Sequence, residues 1–151
     1  EWATAIATRL EHVGVLALEL FERPDGSLAA NEFAPRVHNS GHWTIEGSQT
    51  SQFENHLRAI AGLPLGATDA IGHATMVNLI GECPPTAAML AVAGARLHLY
   101  GKAPRPGRKL GHATVVSKSR DDAIAGGAEI ESLCRNQAPS SVRQDPANAS
   151  P

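Results

Sequence analysis

The hydrophobic and polar positions of this chain recur in two periods, and the changes of period mark its elements. Trp2, Ile6, Leu10 and Val13 recur at near-helical spacing, which predicts a short amphipathic helix packing through that face. Two runs of β-forming and apolar residues follow, Val13 to Phe21 and Leu28 to Phe33, on either side of Arg23-Pro24-Asp25-Gly26-Ser27. An Asp-Gly pair between such runs is a strong hairpin signal. Thr44 to Thr50 fits a strand or a turn. Ser51-Gln52-Phe53-Glu54 reads as a capping box, with Phe53, Leu57 and Ile60 along one helical face and Gly62 and Pro64 ending the helix. That assigns Glu54 to a cap and not to catalysis.

Leu63 to Gly72, rich in small residues and Pro, reads as a connection, with a domain boundary near Ala70. Beyond it the pattern predicts a strand at Ala74 to Ile80, a turn at Gly81 to Pro85, a short helix at Thr86 to Val92, and strands at Ala95 to Tyr100 and Leu110 to Val116. Leu97 and Leu99 take one side of their strand; Arg96, His98 and Tyr100 take the other. Asp121 to Leu133 is weakly helical, with Gly126 and Gly127 interrupting it, and Asn136 to Pro151 has little to bury and is expected to be disordered. The expected division is 1–70, 71–135 and a tail at 136–151.

Composition narrows the class. With 151 residues and 42% hydrophobic content the chain can bury a core, and its net charge of −2 offers no global attraction to nucleic acid or an anionic membrane. No run of about 18 apolar residues predicts a transmembrane helix, and no basic segment leading into an apolar core predicts a signal peptide. Cys83 and Cys134, far apart in sequence, read as reduced cytosolic thiols, so a cytoplasmic protein is expected. The chain opens at Glu1 without Met, which leads us to expect the back part of a longer protein, inactive as a separate piece.

Candidate chemistry gathers between Val13 and His42. If Asp25 and Gly26 are the central turn residues, opposed positions have numbers summing to 51, and Glu19 and Glu32 meet that condition. Directly opposed like charges repel. Mg²⁺ bound by the two carboxylates offsets the repulsion and reads as a nucleotide site; the competing reading is two solvated glutamates, or a register slipped by one. Directly after the second strand, Pro35-Arg36-Val37-His38-Asn39-Ser40-Gly41-His42 offers a guanidinium, two imidazoles, an amide, a hydroxyl and a glycine turn, a set suited to an anion. A second cluster, Lys102, Arg105, Arg108 and Lys109, surrounds a turn made rigid by Pro106 and Gly107 and is the size of a phosphate site. A solvated basic loop is the alternative there. His38 and His42 are separated by Asn39-Ser40-Gly41, which breaks the helix that an i, i+4 zinc pair needs. His12, His73 and His112 read as structural and His56 as an exposed or partly packed side chain of its helix, whereas His38, between Arg36 and Asn39, reads as an oxyanion partner.

Four strings carry a resemblance: the Glu19 strand, NEFAPRVHNSGH at Asn31 to His42, SQFENHLRAIAGLPLG at Ser51 to Gly66 and LHLYGKAPRPGRKLGH at Leu97 to His112. Together they resemble the C-terminal part of the 5-(carboxyamino)imidazole ribonucleotide synthases, ATP-grasp ligases of bacterial and fungal purine biosynthesis. The resemblance implies an α+β fold: the C-terminal half of an ATP-grasp domain, antiparallel sheet with helices, then a small β-rich domain. It implies that ATP, bicarbonate and 5-aminoimidazole ribonucleotide are the substrates, that carboxyphosphate is the intermediate, and that the full-length protein is a homodimer. Glu19 and Glu32 would then hold Mg²⁺, with Asn31 and Glu32 at the ATP. Arg36, His38 and Asn39 would hold bicarbonate and act in catalysis. Lys102 and Arg108, with Arg105 as a possible substitute for either, would hold the ribonucleotide phosphate. Two rivals stay open: another ATP-grasp carboxylase or ligase, which would not need the second basic cluster, and a non-catalytic module that binds a phosphorylated ligand through the basic turn alone.

Overall fold

The computed structural model describes residues 2–136. The fold is mixed, with two separate antiparallel sheets and five α-helices among those residues. The first sheet is a hairpin of β1 (Ala17–Glu22) and β2 (Leu28–Ala34), preceded by α1 (Trp2–Arg9). It is followed by a 3₁₀ turn at Asn39–Gly41, the single helical turn α2 (Thr44–Gly47) and α3 (Gln52–Ile60). The second sheet has the order β3-β5-β4, from β3 (His73–Ile80), β4 (Ala95–Leu99) and β5 (Lys109–Ser117), with α4 (Thr86–Ala91) and α5 (Arg120–Asn136) packed beside it. The tail expected at 136–151 lies, except for Asn136, outside the described residues.

The hairpin places Glu19 directly opposite Glu32 by an unexpected route. Nearest the turn the opposed pairs are Glu22 with Leu28, Phe21 with Ala29 and Leu20 with Ala30, whose numbers sum to 50. The loop is therefore the five residues Arg23–Ser27 and not a two-residue Asp-Gly turn. It is closed by the Arg23 N–H donating to the Ser27 carbonyl and the Gly26 N–H donating to the Arg23 carbonyl, both at 2.8 Å. The register then shifts between Glu19 and Leu20, leaving Asn31 as the extra residue of a β-bulge. The bulge restores the sum to 51, so a misjudged turn and an unforeseen bulge cancel at the glutamates.

Several expected elements differ for physical reasons. β1 begins at Ala17 and not at Val13, because Gly14 adopts a positive φ of 124° and breaks the extended run. Thr44 to Gly47 is helical, closed by the Gly47 N–H donating to the Trp43 carbonyl at 2.9 Å. At Ser51 only half of the capping box forms: the Ser51 Oγ accepts from the Glu54 N–H at 3.1 Å, while the Glu54 carboxylate pairs with Arg58 at 2.5 Å. The apolar faces of α1 and α3 are not buried, with Trp2 55%, Leu57 66% and Ile60 59% exposed.

The core belongs to the second sheet. Val77, Leu79, Ala95, Ala113 and Val115 face Met89, Val92 and Ile130. Gly126 and Gly127 do not interrupt α5; they are buried where the helix crosses the sheet. A Cβ on Gly126 would stand 2.8 Å from Val115 Cγ1, and one on Gly127 would collide with Thr75 Cγ2. Their weak helix propensity is offset by close helix–sheet approach.

The opposite face of that sheet is polar and packs against the first part of the chain. His98 and His112 are paired across β4 and β5, and their rings stack with centroids 4.7 Å apart. His98 Nε2 lies 2.6 Å from Glu46 of α2, the His42 ring lies 5.2 Å from that of His112, and the Tyr100 hydroxyl lies 2.8 Å from His112 Nδ1. Reading His112 as a histidine without an identifiable partner missed this cluster, because its members are scattered from residue 42 to residue 112. His112 is 2% exposed, and burial, reinforced by His98, His42 and Lys109, lowers its pKa to about 4.

Two outcomes follow from the packing. Gly127→Ala lowers unfolding free energy by about 1–3 kcal/mol in urea titrations, the cost of overpacking a filled contact. His112 binds a proton less readily when folded than when unfolded, so its contribution to stability is present above pH 6.5 and is lost as pH falls toward 4. That loss is about 3 kcal/mol at most, and His112→Asn, followed by urea unfolding between those pH values, flattens the slope.

Candidate active site

The hairpin, its bulge and the loop after β2 converge on one cluster. Glu19, Glu32 and His38 each place a ligand atom within 4.8 Å of the others. Asn31, displaced by the bulge, donates its amide to Glu19 Oε2 at 3.2 Å, and Arg36 lies 3.6 Å from Glu32. His38 is 8% exposed and sits between the carboxylates, with Nδ1 3.6 Å from Glu19 and Nε2 3.8 Å from Glu32. Those separations exceed hydrogen-bond length, so the carboxylates keep lone pairs free for another group. The donor set suits a hard divalent cation through the two carboxylates. His38 has a different task, since its Nδ1 is already 2.9 Å from the Ser40 hydroxyl.

Gln52 organises the loop that carries His38. Its Oε1 accepts from the His38 N–H at 3.0 Å, and its Nε2 donates to the His38 carbonyl at 2.7 Å and lies 2.8 Å from His42 Nδ1. The side-chain amide thus pairs with the His38 backbone as a neighbouring strand would. A Cβ on Gly41 would stand 2.6 Å from Gln52 Oε1, so glycine leaves space for the clamp. Sequence reading missed Gln52, because a glutamine at the first position of a helix carries no signal of a contact 14 residues away.

The basic cluster divides in two. Arg105 to Arg108 form a β-turn in which the Arg108 N–H donates to the Arg105 carbonyl at 3.0 Å and Gly107 takes φ 73°, as a Pro-Gly pair in a type II turn requires. The turn is tied to β3 by the Arg105 N–H donating to the Gly81 carbonyl and the Gly81 N–H donating to the Arg108 carbonyl. Lys102 and Arg105 are exposed, and no acidic group lies within 4 Å of Lys102, Arg105 or Arg108 among the described residues. Lys109 behaves otherwise. A register shift where β3 passes from Leu79 to Ile80 turns Lys109 to the polar face of β5, and its ammonium donates to Asn39 Oδ1 in the anion loop. Burial, with the Lys102 charge second, lowers its pKa, and the same Lys109 charge, after burial, lowers that of His42.

The predicted residues therefore fall into two groups. Glu19, Glu32, Asn31, Arg36 and His38 share one cluster, and Asn39 is joined to the basic segment through Lys109. Arg105 and Arg108 stand apart on their turn. Tyr100, like Gln52, is a residue the site reading left out, and Lys109, counted there with the basic cluster, reaches instead to Asn39.

Residues 1–53 match the ATP-grasp domain family, and residues 74–126 match the phosphoribosylaminoimidazole carboxylase C-terminal domain family. The chain is 57% identical over 133 residues to the N5-carboxyaminoimidazole ribonucleotide synthase of Pseudomonas aeruginosa, an alignment that covers 88% of this chain and 37% of that relative. It is similar to the crystal structure of N5-carboxyaminoimidazole ribonucleotide synthetase from Thermus thermophilus, with a TM-score of 0.82 at 57% identity over 87% of this chain and 36% of that one. It is also similar to the Aspergillus clavatus synthase crystallised with ADP and 5-aminoimidazole ribonucleotide, with a TM-score of 0.72 at 38% identity over 80% of this chain and 35% of that one. The chain thus spans about a third of the length of the curated relatives it matches, 37% of the Pseudomonas aeruginosa protein.

Directly opposed carboxylates repel each other. In chelator Glu19→Gln raises unfolding free energy by about 0.5 kcal/mol. If the pair takes up Mg²⁺, its addition should stabilise the parent chain more than the variant in parallel thermal melts.

Proposed function

Since the chain belongs to the N5-carboxyaminoimidazole ribonucleotide synthase family, we propose that it supplies the catalytic cation site, the bicarbonate site and the ribonucleotide phosphate site of an ATP-dependent ligase. That ligase carboxylates 5-aminoimidazole ribonucleotide through carboxyphosphate. The observation that carries the reading is the Lys109–Asn39 contact, which joins the basic segment to the anion loop. A basic turn acting alone as a phosphate-binding module has no use for that junction, and an ATP-grasp ligase of another kind has no use for the basic segment. The proposed units are residues 1–70 and 71–135, with the homodimer of the full-length protein and a cytoplasmic location as further parts of the reading; among the described residues no helix is long and apolar enough to cross a membrane.

Glu19 and Glu32 would hold Mg²⁺, which when bound neutralises phosphate charge during phosphoryl transfer. Asn31 lies beside the nucleotide and holds Glu19 in place. Arg36 presents a guanidinium to bicarbonate and then to carboxyphosphate, while His38 and Asn39 complete a set of preorganised donors for the developing negative charge. His38 is well suited to this, because Ser40 and the Gln52 clamp fix its ring and backbone. Lys102 and Arg108 hold the 5′-phosphate, Arg105 lying within reach on the same rigid turn. Holding the ribonucleotide amine close to the released carbon dioxide or carboxyphosphate then supplies much of the rate, since capture competes with water.

The test is a chimera in which this chain replaces the segment it matches in the Pseudomonas aeruginosa relative. It should consume ATP only when both bicarbonate and 5-aminoimidazole ribonucleotide are present, and form the N-carboxylated product. Arg108→Ala should raise KM for the ribonucleotide by about 10- to 100-fold, the range of a lost charged hydrogen bond, and Arg36→Ala should lower kcat by about 100-fold. A folded chimera that turns over without dependence on the ribonucleotide would replace this reading with that of a different ATP-grasp ligase.

A further inference from the structure

Tyr100 is the one aromatic ring that both lysines of the basic segment approach. The Lys102 ammonium lies 5.4 Å from its centroid and the Lys109 ammonium 5.7 Å, both within the range in which a cation is attracted by the ring's negative face. The phenol is held from behind by His112, whose Nδ1 is 2.8 Å from the Tyr100 oxygen. His112 is in turn stacked on His98 and fixed within the polar face of the sheet. Lys109 passes the arrangement on, donating to Asn39 Oδ1. An amide whose oxygen is taken by an ammonium must present its N–H₂ elsewhere, which is the orientation an anion needs.

Two ammonium groups that approach one ring also repel each other, and the lowered basicity of Lys109 has the Lys102 charge among its causes. The π-face offsets part of that repulsion before any phosphate is bound. Without the ring, exposed Lys102 and half-buried Lys109 are two flexible four-carbon chains, and holding them in place costs side-chain entropy.

We propose that Tyr100 is a positioning residue that sets Lys102 for the ribonucleotide phosphate and, through Lys109 and Asn39, sets the bicarbonate site, so that one ring aligns both substrates. The inference rests on the assignment of Lys102 to the phosphate and Asn39 to bicarbonate.

The experiment uses the chimera, which carries every residue of this chain, with the ribonucleotide and bicarbonate as the varied substrates. Tyr100→Leu raises KM for each by about 3- to 10-fold and changes kcat by less than about twofold. Tyr100→Phe stays within about threefold of the parent, because the ring remains. Replacing Tyr100 by phenylalanines carrying one to five fluorines preserves shape while draining the π-face, and log KM then climbs steadily with fluorine number. That series keeps the test decisive if the leucine variant folds poorly, since a purely structural ring would not respond to fluorination. In the Lys102→Gln background Tyr100→Leu raises ribonucleotide KM no further, because the ring acts through the lysine.

Multiplicative effects of Tyr100→Leu and Lys102→Gln, or a flat fluorine series, overturn the role of the ring while leaving the phosphate assignment intact. A Lys102→Gln variant with unchanged ribonucleotide KM overturns the phosphate assignment itself, and the inference with it.

Discussion

Strand β5 has to satisfy two environments at once, and the arrangement of the molecule depends on how it does so. It is the central strand of its sheet, so its backbone is paired on both edges and its side chains divide cleanly between two faces. Ala113 and Val115 enter the apolar core beneath α5. His112 meets the polar surface of the first part of the chain. The register shift beside Ile80 adds Lys109 to that polar face. Without it, strict alternation would direct the ammonium toward the core side, where an unpaired charge is costly. One extra residue thus converts a strand of the core into a platform for the site.

A bulge performs the same service in the hairpin. Asn31 is the residue without a partner in β1, and its displacement brings an amide onto Glu19 while keeping Glu32 opposite it. Bulges re-aim side chains at a modest cost in pairing. Here both sheets use one, and each delivers a polar group to the region between them. The carboxylates suit a cation and the ammonium suits an anion, so the two devices bring opposite charges to one region.

The interface that holds these parts together is polar where the interior of the second sheet is apolar. Glu46 with His98, His42 with His112 and Asn39 with Lys109 replace the leucines and valines that usually join packed layers. Buried polar contacts of this kind contribute less to stability than apolar packing, because each group has given up water. Their return is orientation, since a hydrogen bond fixes direction in a way that dispersion contact does not. The clamp of Gln52 on the His38 backbone belongs to the same strategy: it makes a loop as well defined as a strand without making it one.

Local patterns were enough to place most of the elements, because helix and strand periods, Pro-Gly turns and serine caps act over a few residues. They were also enough to bring Glu19 to Glu32, although through a turn and a bulge that sequence arithmetic treats as one step. The charged strings at Arg36 to His42 and Lys102 to Lys109 offered groups suited to an anion by composition alone. Whether α5 would survive Gly126 and Gly127 was decided by the sheet beneath it, since only tertiary approach explains why a side chain must be absent there. The roles of Gln52, Tyr100 and His112 were decided in the same way. Each depends on partners brought together by folding: Gln52 meets a loop 14 residues earlier, Tyr100 and His112 meet across paired strands, and Lys109 meets Asn39 at a separation of 70. Sequence determined which groups are available and in what local order, while the tertiary structure alone decided which of them meet, because those contacts depend on register shifts and layer packing that no local period encodes.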